Sequence, residues 1–152
     1  MKYKGEIRTY TVIPATVQVP RVSMLHNNKV IPDYTMGTKT VVQPLGRQMQ
    51  QGQHVMGRYM WETADRLARG TVGHPWGPCT GITLMCRDSA ELRHVTFLLL
   101  KKKIHVTPFE DENEGAYGKG IQVVTAICTE PVYKDQVAGI LDYLPLWPGE
   151  QK

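Results

Sequence analysis

The sequence predicts an α/β fold: three layers, α/β/α, built on a small mixed four-stranded sheet, plus an extended N-terminal insertion. Three observations lead there. Short β-branched runs alternate with helix-length stretches beyond residue 44. Glycine, proline and capping residues mark the junctions between them. The chain has 152 residues, 41% of them hydrophobic, enough for one domain with its own core.

Arg8 to Ile13 is apolar and β-branched, ends at Pro14, and reads as the first strand. From Ala15 to Pro44 prolines stand at 20, 32 and 44. Val17 to Val22 and Lys39 to Val42 have strand composition, Asn27-Asn28 suits a hairpin, and Met36-Gly37 reads as a turn. A helix follows from about Leu45 to Arg69, closed by Gly70. Gly73 to Pro78 is a rigid loop that carries Trp76. Gly81 to Cys86 is a second strand, and Asp88 or Ser89 caps a helix reaching about Lys102. Ile104 to Phe109 is the third strand, Glu110 to Lys119 an acidic turn, and Gly120 to Cys128 the fourth strand. Pro131 starts a last helix ending near Tyr143. Residues 1–152 read as a single domain, with about 15–44 as the extra loop or hairpin.

Composition sets bounds on function. No run approaches the roughly 18 to 20 apolar residues of a membrane span. No apolar segment follows Met-Lys-Tyr-Lys-Gly-Glu, so the expected place is the cytoplasm. Three cysteines, Cys79, Cys86 and Cys128, lack the C-x-x-C spacing of zinc or redox sites and are expected as reduced thiols. A net charge of +4 mildly favours a phosphate-bearing partner.

Arg47, Gln51, His54 and Arg58 recur at i, i+4, i+7 and i+11, one polar stripe on a helix. Two guanidiniums, an amide and an imidazole in a row can hydrogen-bond an anionic or amide-rich ligand; a solvated helix face has the same pattern. Lys101 to Lys103 suits a helix C-terminus. His94-Val-Thr96 and His105-Val-Thr107 resemble the paired motifs of two-histidine phosphoesterases. That family carries them on two strands much further apart, so the repeat reads as coincidence.

Leu45 to Val55 resembles the first-helix signature of the archaeal and eukaryotic-type peptidyl-tRNA hydrolases, Gly-Lys-x-x-Ala-Gln-x-x-His-Ala. Gly46, Gln51 and His54 match; Arg47 replaces lysine, and Gln50 and Val55 replace alanines. The family's turn, Asp-Ala-Gly-Arg-Thr, places an aspartate nine residues before a glycine, as Asp111 and Gly120 do here. Val124 to Pro131 stands where the family has Val-Leu-Gly-Ile-Gly-Pro-x-Pro. The resemblance spans roughly Leu45 to Trp147 and leaves Ala15–Pro44 without a counterpart.

The resemblance implies metal-free hydrolysis, without cofactor, of the ester of peptidyl-tRNA, and a possible homodimer. Arg47 would bind the terminal phosphate or polarise the carbonyl, Asp111 would orient water, and Thr129 or Thr125 would supply a hydroxyl. Gln51, His54 and Arg58 would help hold substrate, and Cys128 lies near as a nucleophile without an activator. Two departures matter. The family's turn threonine falls on Gly115, which has no hydroxyl. Arg47 keeps the charge, but a guanidinium does not shuttle protons. The alternatives are a scaffold that binds or hydrolyses a small nucleotide, such as a cyclic nucleotide, and a non-catalytic partner-binding protein.

Overall fold

The computed structural model describes residues 6–68 and 80–149. The Gly73–Pro78 loop, with Trp76, and Cys79 lie outside the described residues. The fold is mixed α/β. Its elements are β1 (Ile7–Pro14), β2 (Thr16–His26), β3 (Lys29–Val42), α1 (Leu45–Ala68), β4 (Thr80–Cys86), α2 (Ser89–Lys101), β5 (Val106–Glu112), α3 (Glu114–Tyr117), β6 (Gln122–Thr129) and β7 (Val132–Tyr133).

The main sheet has five strands rather than the expected four. Its order is β4-β1-β6-β5, and β7 pairs with the start of β1. β1 runs parallel to β4 and antiparallel to β6, and β5 is antiparallel to β6. The fifth strand comes from the segment expected as the last helix. Val132 and Tyr133 pair with Arg8 and Ile7, and only a 3-10 turn, Lys134–Val137, follows. Gly139, at φ +79°, then sits in a conformation a right-handed helix does not contain.

β1 lies between β4 and β6, and its residues from Thr9 to Pro14 are all buried. Its alternate side chains join separate clusters, as strand geometry requires. Tyr10 and Val12 pack with Leu92, Val95 and Leu99 of α2. Ile13 packs with Val55 and Tyr59 of α1 and with Ala126 and Cys128 of β6. Gly52 helps α1 approach, since a Cβ there would stand 3.0 Å from Ile13 Cδ1.

Asp88 is the N-cap of α2, its carboxylate accepting from the Glu91 backbone N–H at 2.9 Å. That bond holds its pKa below the usual value. A carboxyl whose folded pKa is depressed stabilises above its unfolded pKa, and the gain vanishes as pH falls through the folded value. Asp88→Ala should therefore cost about 1 kcal/mol in denaturant melts at pH 7. The gap to wild type should close as the melts move to strongly acidic pH.

The 15–44 segment is a separate two-stranded sheet, β2 against β3. Asn27 and Asn28, both at positive φ, make the tight turn expected of them. Met36-Gly37 does not reverse the chain. The register jumps from Pro20↔Thr38 to Val22↔Asp33, so residues 34–37 bulge out of β3 with Gly37 at φ +83°. The hairpin docks on the domain through Val17 and Val19, which pack with Tyr117, Ile121 and Val123. Nearer its tip, Val30 presses on Gly120, where a Cβ would stand 2.8 Å from Val30 Cγ2 and 2.9 Å from Val30 Cβ. Gly120 also has φ +72°. Gly120→Ala should lose about 1–2 kcal/mol from backbone strain alone, and more from the contact, in equilibrium urea unfolding.

The expected acidic turn from Glu110 to Lys119 is mostly ordered structure. Glu110, Asp111 and Glu112 belong to β5 and pair with Val124, Val123 and Gln122. The strand itself starts at Val106, not Ile104. Ile104 instead closes the turn after α2, its N–H donating to Leu99 O with Lys103 at positive φ. Asn113 then caps α3, accepting from the Ala116 backbone N–H.

Candidate functional site

Three side chains of α1 meet alternate residues of β5. Gln51 reaches Asp111, His54 lies on Phe109, and Glu62 meets Thr107. Positions 107, 109 and 111 share one strand face, which also turns Asp111 away from Glu110 and Glu112. A flexible acidic turn would not achieve that separation. Met56, one turn beyond Gly52, and Phe109 are half-buried beside the Ile13 and Val55 cluster.

Gln51 is the centre of the arrangement. It is 2% exposed, so the polar stripe read from the helix turns inward at this one residue. Its Nε2 donates to Asp111 Oδ2 at 2.8 Å, and its Oε1 accepts from Thr125 Oγ1 at 2.9 Å. Only one amide orientation satisfies both neighbours, because a carboxylate accepts and cannot face the amide oxygen. Among the described residues nothing hydrogen-bonds the other carboxylate oxygen, Oδ1.

Thr125 reaches Gln51 through a β-bulge. Pairing steps from Phe109↔Ala126 to Glu110↔Val124, leaving Thr125 as the extra residue. Val124 and Ile127 pack with the α2 cluster, whereas Ala126 packs against α1. Regular alternation would aim Thr125 with Ile127, away from Gln51. The bulge re-aims it. Its side chain is wholly buried, with 0% exposure.

Arg47, third residue of α1, is half-buried. Its guanidinium neighbours the hydroxyl of Tyr117, although that hydroxyl has no partner at hydrogen-bonding geometry. Burial raises the Tyr117 pKa, the Asp111 carboxylate raises it further, and Arg47 opposes both. Gln51, Asp111 and Thr125, all named from sequence, thus form one hydrogen-bonded set, while Arg47, also named, neighbours Tyr117, which was not.

The other named residues lie elsewhere. Thr129 is four residues along β6, about 13 Å by strand rise from Thr125, and its Oγ1 accepts from the Tyr10 backbone N–H at 3.0 Å. His54 is exposed, with ring centroids 4.9 Å from Phe109 at an interplanar angle of 55°. Arg58 pairs with Glu62 at 3.1 Å on the surface of α1. Cys128 is fully buried, its Sγ against Thr129 O. Burial pushes the Cys86 thiol up to about 12, which removes it as a nucleophile at neutral pH. Thr96 donates to Leu92 O within α2 while Thr107 donates to Glu62, so the two His-x-Thr sets serve different elements.

Sequence reasoning missed Tyr117 and Glu62. Neither has a local signal, since Glu62 meets Thr107 and Tyr117 meets Arg47 only across large separations in the chain. Among the described residues no three His, Cys, Asp or Glu side chains cluster as metal ligands. No helix among them is long and apolar enough to cross a membrane. The chain matches no protein-family model and no curated protein.

Proposed function

We propose that this chain is an ester hydrolase of the peptidyl-tRNA hydrolase type, with its centre at Arg47, Gln51, Asp111 and Thr125. The observation that carries the proposal is the Gln51 amide, which holds Asp111 on one side and Thr125 on the other. A glutamine buried to satisfy two side chains fixes a carboxylate in place and leaves its second oxygen for water.

The chemistry follows from the groups present. Oδ1 of Asp111 accepts a proton from water as the water oxygen attacks the ester carbonyl. The permanent charge of Arg47 stabilises the oxyanion or anchors the terminal phosphate. The carbon–oxygen bond to the ribose then breaks, and the ribose oxygen takes the proton back from Asp111. The hydroxyl partner in this scheme is Thr125 instead of Thr129, and it acts through Gln51. The three-layer arrangement belongs to the same proposal. It is supported by the division of β1 side chains between the α1 and α2 clusters.

The test is release of peptide from a blocked aminoacyl-tRNA by the purified protein, with tRNA affinity measured across salt. Turnover is the expected result. Affinity should fall steeply between 50 and 200 mM salt, by about 10³ or more where six or more phosphates are contacted. A shallow slope without turnover would instead support the second reading, a small phosphate-bearing ligand held without hydrolysis. The glycine at position 115, which offers no hydroxyl, favours that version.

A further inference from the structure

The hydroxyl of Tyr117 is buried without a hydrogen-bond partner, and the residue is 1% exposed. An unsatisfied buried hydroxyl is costly, about 1–3 kcal/mol, and a phenylalanine would fill the same space without that cost. The ring is fixed firmly: Val17 and Val19 of the hairpin enclose it with Ile121 and Val123. The aromatic ring is therefore explained by packing, but the hydroxyl is not. The charges of Arg47 and Asp111, both members of the candidate site, reach it, and Val123, which packs in the same cluster as the ring, is the strand partner of Asp111. A phenol oxygen can accept from a guanidinium while its hydrogen donates to a carboxylate. Such bonds are often long or misaligned without ligand and tighten in the complex.

We infer that Tyr117 is a positioning residue: its hydroxyl sets the Arg47 guanidinium and the Asp111 carboxylate relative to one another when ligand binds. The hairpin thereby serves the site, since β2 supplies two of the side chains that hold the ring. Gly115, two residues earlier in α3, offers no hydroxyl, whereas Tyr117 of the same short helix carries one. The inference rests on the site that the hydrolase reading above names, Arg47 with Asp111.

Tyr117→Phe tests it, because the substitution removes the hydroxyl alone. Wild type and variant are compared in peptide release and thermal melting. A packing role predicts an unchanged rate with an equal or higher Tm. The positioning role predicts an equal or higher Tm, kcat lower by about 10- to 100-fold, and KM within about threefold. A Tyr117→Phe protein at the wild-type rate overturns the inference while the hydrolase reading stands. If wild type itself has no turnover, the hydrolase reading falls. Inorganic phosphate titrated against wild type, Arg47→Ala and Tyr117→Phe then decides. Binding weakened about tenfold in both variants supports the role for Tyr117; equal affinity in Tyr117→Phe, or no binding by wild type, overturns it.

Discussion

Asp111→Asn is expected to keep the fold and lose turnover by about 10²- to 10⁴-fold, the usual contribution of a positioned acid–base group. The amide oxygen of asparagine can still accept the bond that Gln51 Nε2 gives at 2.8 Å. The Oδ1 position then becomes the amide nitrogen, which takes no proton from water. Asp111→Ala removes the acceptor as well. It leaves a buried amide donor unpaired and should cost a further 1–3 kcal/mol or so of stability. The two variants together separate chemistry from structure. Comparable losses of kcat with different unfolding free energies are the expected pattern, read from single-turnover peptide release and urea melts. A full-rate Asp111→Asn protein would remove Asp111 from the mechanism.

Gln51→Glu should produce the largest change in stability, and one that depends on pH. The new carboxyl faces Asp111 at one oxygen and the Thr125 hydroxyl at the other. The side chain at this position is fully buried, so its ionised form meets both desolvation and a like charge. Its folded pKa is raised, so the folded state holds more protons than the unfolded state. Stability then falls as pH rises above the unfolded glutamate value near 4.3. At pH 7 the variant should be less stable than wild type by on the order of 2–4 kcal/mol. Near pH 4 the protonated carboxyl can donate to Asp111 as the amide did, and the deficit should shrink. Chemical denaturation at pH 4, 5.5 and 7 reads this directly. A deficit that does not change with pH would mean that Gln51 and Asp111 do not meet in solution. Gln51→Leu, which cannot ionise, should lose about 1–3 kcal/mol at every pH through the unpaired Thr125 hydroxyl.

Local sequence pattern was enough wherever one element decides its own conformation. α1 begins at Leu45 as its proline and glycine punctuation requires, α2 has its cap at Asp88, and Asn27-Asn28 turns the hairpin. Backbone propensity and capping act over a few residues, so the order of residues carries them. Two regions misled for an equally physical reason. Glu110-Asp111-Glu112 has the composition of a solvated turn, yet β6 offers it a ladder of backbone hydrogen bonds. Val132-Tyr133 follows a proline suited to a helix start, but the open edge at the beginning of β1 pairs it as a strand. In both, a partner distant in sequence outweighs local preference.

The candidate site divides in the same way. Arg47, Gln51, Asp111 and Thr125 were legible as residues, through spacing along one helix and two short motifs. Their meeting was not. It depends on a bulge that adds Thr125 to the α1 side, on β5 alternation that lifts Asp111 away from its glutamate neighbours, and on the inward turn of Gln51. Thr125 and Thr129 differ little as sequence, both being threonines near the end of one strand. The pairing register decides between them, giving Thr129 to the Tyr10 backbone and Thr125 to Gln51. By itself, then, the sequence determined the α/β class, the main helices and the chemical types gathered for the site. The tertiary structure alone decided which of those groups touch, and it set Tyr117 near Arg47, because register, bulges and hairpin docking arise from contacts between residues far apart in the chain.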